Sequence, residues 1–262
     1  MNKYQTLELD IKENVGTIFF NRQKVHNAFN EVMISELMLS IKELNENDDV
    51  RIIVLRGRGK SFCAGADLNW MRDVAKYSYE DNYKESLELS KCFYAIYTSA
   101  KPTLAVVHGA AIGGANGILA ACDFAYCDDD TTFSLSEVKI GIVPACISPY
   151  VTKRVGEYGS KELMLTGKRF KGKEAEKHKL VNKSLSSQEL DSYIDSVIEL
   201  LKTSGPKAMT MCKNLLFDIA NKLSLDEALE YTAKMIADIR ASEEGQEGMA
   251  AFLEKRKPNW VE

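Results

Sequence analysis

Apolar positions along this chain repeat with two different periods, and the change of period divides it. Ile34, Leu37, Met38, Ile41 and Leu44 fall three or four apart, the spacing of one helical face. Val15 to Phe20, Arg51 to Arg56 and Thr103 to Val107 are instead short runs rich in β-branched and aliphatic residues, which read as strands. A second helical stretch, from about Asp81 to Ser99, leads into the strand at Thr103. Alternating strand, helix and strand predicts right-handed crossovers and a largely parallel sheet, with ligands gathering at the strands' C-terminal ends. Past residue 185 the strand pattern stops. Ser186 with Glu189, and Ser224 with Glu227, form capping-box patterns. Leu190, Ile194, Val197, Ile198 and Leu201 share one helical face, Gly205-Pro206 interrupts, and Leu225 to Ser242 follows as another helix. The reading is α/β, with a core over residues 1–200 and a helical C-terminal region over residues 201–262. With little sheet to cover, the tail's apolar faces are expected to meet neighbouring subunits.

Composition narrows the classes. A chain of 262 residues, 45% hydrophobic, suits one main domain with an extension. A net charge of −4 argues against nucleic acid as a partner. No apolar run approaches membrane-spanning length, and the N-terminus has neither an apolar leader core nor an Arg- and Ser-rich presequence. With six cysteines and no C-x-x-C pair, this predicts a cytoplasmic protein with reduced thiols and no membrane partner. The histidines at 26, 108 and 178 are scattered and no H-E-x-x-H occurs, so no metal site is expected. Gly59-Lys60-Ser61 suggests a phosphate loop, but the required earlier glycine is Val54, inside a strand. No G-x-G-x-x-G spacing is present either, so no nucleotide or redox cofactor is implied.

Two glycine-rich turns follow two of the strands: Phe62-Cys63-Ala64-Gly65-Ala66-Asp67-Leu68, and His108 to Gly117. Small-residue turns at strand ends can each aim a main-chain N–H at one point, as chemistry on a thioester carbonyl requires. The second turn enters a helix at Ile118, whose N-terminal dipole favours negative charge. Glu137 lies about twenty residues on, flanked by Phe133, Leu135, Val138 and Ile140, an apolar setting that would raise its pKa and suit proton transfer. A lone glutamate is more often a solvated charge, and each glycine-rich turn alone is more often structural. Their order and their places after strands favour the chemical reading. Cys63 has no base placed beside it by sequence and reads as a small buried residue. Asn116 is a weak candidate for orienting water, because adjacent helical residues point about 100° apart.

From end to end the chain resembles the crotonase (enoyl-CoA hydratase/isomerase) family. Asn21 to Ala28 is similar to the family's first coenzyme A loop, which implies contacts from Lys24, Val25 and His26. Phe62 to Leu68 resembles its adenine-pocket and first oxyanion segment, implying contacts from Ala64, Asp67 and Leu68 and an N–H from Ala66. His108 to Gly117 resembles the second oxyanion segment, with its N–H from Gly114. Gly248 to Arg256 resembles the segment that reaches coenzyme A across a trimer interface, which makes Phe252 and Lys255 candidates. The resemblance further implies a spiral of ββα units, a homotrimer or dimer of trimers, and coenzyme A as part of the substrate rather than a separate cofactor.

The chain departs from the family pattern at one place. Family hydratases carry glutamates at the positions of Gly117 and Glu137, and only the second is here. Reversible hydration of an enoyl-CoA by Glu137 alone is the leading expectation. Δ3,Δ2-enoyl-CoA isomerisation by one glutamate is the alternative, and a non-catalytic acyl-CoA-binding oligomer the rival from another class. Leu135 to Tyr150 resembles members acting on branched methylglutaconyl-type thioesters of leucine breakdown, and Gly117 is expected to open the acyl pocket to a β-branch. A carboxylated acyl group would need a cation, for which Arg72 and Lys139 are available.

Overall fold

The computed structural model describes residues 3–261. It forms two compact units, one of residues up to 99 with 103–194, the other of residues 100–102 with the chain from Asp195 onward. The division therefore falls six residues before the expected 200/201 boundary, inside a helix, and residues 100–102 group with the tail.

The first unit opens with β1 (Leu7–Lys12) and β2 (Val15–Phe20), joined by a turn in which Glu13 and Asn14 both have positive φ. Helix α1 (Glu31–Glu46) starts at Asn30, whose side chain accepts the Met33 N–H, and buries Ile34, Leu37, Ile41 and Leu44. Then come β3 (Ile52–Gly57), α2 (Leu68–Val74), α3 (Tyr79–Tyr97), β4 (Thr103–Val107), β5 (Ala110–Ile112) and α4 (Ala115–Ala121). Next are β6 (Phe124–Asp128), β7 (Thr132–Ser134), α5 (Ser148–Thr166), β8 (Arg169–Phe170), α6 (Gly172–Lys177), β9 (Lys183–Leu185) and α7 (Ser187–Lys202). Short 3₁₀ turns occupy Gln23–Val25 and Glu137–Ile140.

The main sheet runs β1-β2-β3-β4-β6-β9, parallel except for the β1–β2 hairpin. β3 and β4 are buried along most or all of their length, as parallel strands covered on both faces should be. A second sheet, β5-β7-β8, pairs β5 parallel to β7 and β7 antiparallel to β8. It lies where the sequence pattern shows only a glycine-rich turn and a glutamate. β5 sits inside that turn, so the second oxyanion segment is a three-residue strand followed by a tight turn and α4. Together these elements form the α/β architecture expected from the strand and helix periodicities.

The second unit is helical: α8 (Pro206–Asn221), α9 (Leu225–Ala241) and α10 (Glu243–Glu254). Ser224 and Glu227 form a reciprocal capping box at the start of α9. Glu244 accepts the free N–H groups of Lys207 and Ala208 at 3.0 and 2.7 Å, so it caps α8 from α10. Neither α8 nor α9 buries a residue. Leu225 and Leu229, at 86% and 67% exposure, stand open on α9.

Candidate active site

Three loop segments of the first unit are stitched together by main-chain bonds. The Phe62 N–H donates to His108 O at 2.8 Å and the Cys63 N–H to Ala110 O at 3.0 Å, while Ile112 donates back to Cys63 O at 3.2 Å. Cys63 thus bridges to Ala111 in parallel. Ala66 lies three residues beyond that bridge on one segment, and Gly114 three residues beyond it on the other. The two expected donors thus stand at equal offsets along the chain from one bridge. On the far side Phe29 bridges to Ala66, donating to Gly65 O at 2.8 Å and accepting from Asp67 at 2.9 Å.

Neighbouring amides in these turns are occupied: Gly113 donates to Ser134 O, Asn116 to Gly113 O and Gly117 to Gly114 O. The Ala66 and Gly114 N–H groups have no acceptor among the described residues. Unused main-chain donors of this kind are what an oxyanion site draws on. Phe29 also sets how Gly114 is placed, since a Cβ on Gly114 would stand only 2.4 Å from the Phe29 ring. The ring is held in turn by Trp70, edge-on at 5.7 Å. Phe29 and Trp70 lay outside the sequence reading, although Phe29 adjoins the Asn21–Ala28 loop.

Glu137 opens the 3₁₀ turn after β7, which Gly141 closes in the left-handed region. Gly113 also has a positive φ of 56°, and a Cβ there would meet Glu137 Oε1 at 3.2 Å. The acid therefore lies against the residue preceding the Gly114 donor. Its Oε2 is buried and unpartnered among the described residues. Burial raises its pKa above the ordinary carboxylate value, and a bond from its own N–H opposes this only in part. Its chain neighbours Phe133 and Leu135 are fully buried, whereas Ile140, expected to share that apolar setting, is mostly exposed.

Several expected contributors are placed differently. Asp67 is buried and its carboxylate is committed, pairing with Arg22 Nη2 at 2.7 Å and accepting the Asn69 N–H at the start of α2. Its side chain builds the loop and is not free for a ligand. Lys24, Val25 and His26 form an exposed rim, joined to the oxyanion segment where His26 O accepts the Ala64 N–H and His26 Nδ1 meets Ser61 Oγ. Leu68 is exposed beside it. Phe252 (83% exposed) and Lys255, which ends α10 with a φ of 55°, belong to the second unit.

Gly117 does not open a pocket. A Cβ there would lie 2.2 Å from Ile147 Cγ2 and 3.0 Å from Phe93 Cε1, so the chain's own side chains fill the space expected for a β-branch. Asn116 does not face a water site, because it is fully buried and donates only to main-chain carbonyls. Of the two candidate cations, Arg72 donates to Asn69 and Lys139 packs along Gly167. Cys63 is buried, with its thiol pushed up to about 12 by desolvation, as an inert core residue should be.

One cluster escaped the sequence reading: Glu162, Glu174 and His178 bring ligand atoms within 4.8 Å of one another. The Lys168 ammonium sits at 2.5 and 2.6 Å from the two carboxylates and offsets part of their charge. No helix among the described residues is long and apolar enough to cross a membrane.

Comparison with known proteins places this geometry in a setting. The sequence model of a family described as "Enoyl-CoA hydratase/isomerase" matches residues 10–262. A peroxisomal Delta(3,5)-Delta(2,4)-dienoyl-CoA isomerase of Arabidopsis thaliana is 32% identical, over 100% of this chain and 99% of its own length. A crotonyl-CoA hydratase of Syntrophomonas wolfei is 29% identical over 98% of each. The crystal structure of an enoyl-CoA hydratase from Shewanella pealeana superposes with a TM-score of 0.95 at 38% identity, covering 98% of this chain and 97% of that one.

Proposed function

The chain belongs to the enoyl-CoA hydratase/isomerase family and is an enzyme of that family, and from this premise we propose that it adds water reversibly across the C2–C3 double bond of an enoyl-CoA thioester. The observation that carries the reading is the unpartnered Glu137 carboxylate beside the Gly113–Gly114 turn, with two unused amides on the paired segments. In this reading the Ala66 and Gly114 N–H groups hold the thioester oxygen. Glu137 takes a proton from water as the water oxygen bonds to C3. The double-bond electrons move onto the thioester as an enolate, which the two N–H groups stabilise. The protonated Glu137 then delivers its proton to C2. Each donor is expected to contribute about 10² to 10³ in rate, and the acid–base group roughly 10² to 10⁴. The raised pKa suits one group that must both accept and return a proton.

Δ3,Δ2-isomerisation is a second reading, favoured by the filling of the Gly117 position, which leaves no place there for another acid to hold water. A methylglutaconyl-type substrate rests on the resemblance of Leu135 to Tyr150, without the steric room first expected at Gly117. The proposal extends to a homotrimer or dimer of trimers in the cytoplasm. The uncovered apolar residues of α9 and α10 support self-association. Coenzyme A contacts are assigned to the Lys24–His26 rim, Ala64 and Leu68, and, from a neighbouring subunit of the proposed trimer, to Phe252 and Lys255.

A panel of straight-chain, β-methyl and carboxylated enoyl-CoA thioesters tests this, with products read by mass. Gain of the mass of water supports hydration, and double-bond migration at unchanged mass supports the isomerase. Absence of any turnover would overturn both.

A further inference from the structure

Asn116 sits in the first turn of α4, two residues past Gly114, with no exposed surface. A carboxamide is an unusual occupant there, because its α4 neighbours are Ala115, Gly117, Ile118, Leu119 and Ala120. Its Nδ2 donates to Gly113 O at 3.0 Å, to Ala111 O at 3.2 Å and to Ser134 O at 2.9 Å. These carbonyls belong to the oxyanion turn, to β5 before it, and to the end of β7, three residues ahead of Glu137. All three partners are acceptors, so the amide must present its NH₂ to them. Its Oδ1 is consequently buried with no partner among the described residues. An orphaned buried acceptor is unfavourable, and a residue of similar size without one would suit the same space better for packing alone. Where a chain breaks a local rule of this kind, function is the usual reason.

The bonds connect the two halves of the proposed chemistry. Ser134 O accepts both the Asn116 amide and the Gly113 N–H, at 2.9 and 2.8 Å. Gly113 in turn lies against Glu137 Oε1. We propose that Asn116 is a positioning residue, whose NH₂ locks the Gly114 donor and Glu137 into one fixed relation by tying their two segments together. It touches no substrate. It acts because an oxyanion donor and a proton carrier lose effect when their spacing drifts by a fraction of an ångström. The inference rests on the hydratase/isomerase reading of the same site.

The test uses Asn116→Ala and Asn116→Ser, with folding checked by circular dichroism. Turnover is measured on the thioester the unmutated enzyme accepts best. Carbonyl polarisation is read by isotope-edited infrared spectroscopy of bound butyryl-CoA, which has no double bond to hydrate. Asn116→Ala should lower kcat by about 10- to 100-fold with KM within a few-fold. The bound carbonyl frequency should move back toward its value in free butyryl-CoA. Asn116→Ser, which keeps one donor, should fall between wild type and alanine in both readouts, and it carries the test if the alanine variant does not fold. A kcat within twofold of wild type, or an unshifted carbonyl frequency in the folded variants, would overturn the proposal. If the unmutated protein turns over no enoyl-CoA, the functional reading fails, and the infrared shift still decides the role of Asn116.

Discussion

Two acidic side chains flank the proposed oxyanion donors, and their surroundings push them in opposite directions. Asp67 directly follows Ala66. Burial alone would raise its carboxyl, but the Arg22 hydrogen bond and charge, with the Asn69 and Trp70 N–H groups, outweigh that and hold it below the usual range. Glu137, beside the other donor, has no countercharge, and burial keeps its pKa high. A fully partnered acid is part of the framework. An acid left buried without a partner is a cost to stability, which fits the proton-carrying role proposed for Glu137.

Glu137→Gln gives the largest expected effect. Turnover should fall by about 10² to 10⁴ while acyl-CoA binding persists. Because burying the charged form is unfavourable, the variant should also melt at a higher temperature than wild type at neutral pH. A variant that loses binding together with turnover would remove the contrast between the two acids. For Asp67→Ala the expectation reverses: the fold suffers first, by about 1–3 kcal/mol, because the half-buried Arg22 loses its carboxylate partner and α2 loses its cap. Denaturant titration checks it, and a loss of under 1 kcal/mol would mean that Asp67 is not framework.

Gly117→Ala asks why Glu137 stands alone. The added methyl meets Ile147 and should destabilise by about 1–3 kcal/mol. Placed in an Ile147→Ala background, the same substitution should cost markedly less, and a double-mutant cycle measures the coupling. Additive losses would show that Ile147 does not block that position.

The smallest effect is a difference of sign with pH. Asp67, with its lowered pKa, contributes stability above its unfolded value near ~3.9 that is lost as pH falls through the folded value. Glu137, with its raised pKa, contributes stability below its unfolded value near ~4.3 that is lost as pH rises through the folded value. Melting temperature against pH for Glu137→Gln should therefore diverge upward from wild type only above about pH 4. The acid limb of kcat/KM should also lie above the ordinary carboxylate range.

Much of this arrangement was legible in residue order. The strands ending at Gly57 and Val107, the helix at Glu31 and the capping box at Ser224 all carry strong local signals. The short strands β5, β7 and β8 do not, because two or three residues express no period. The roles of Asp67 and Gly117 were misjudged because their partners lie far along the chain, Arg22 forty-five residues from Asp67 and Ile147 thirty from Gly117. Pairings at that separation leave no spacing pattern for a single sequence to show.

The Ile147 plug also has an evolutionary side. Acquiring a second acid at position 117 requires two changes, and neither order is smooth. Enlarging 117 first collides with the isoleucine, whereas trimming 147 first opens a void that weakens the core. On the proposed reading, a chain carrying this pair keeps a single acid at the site until both positions change together.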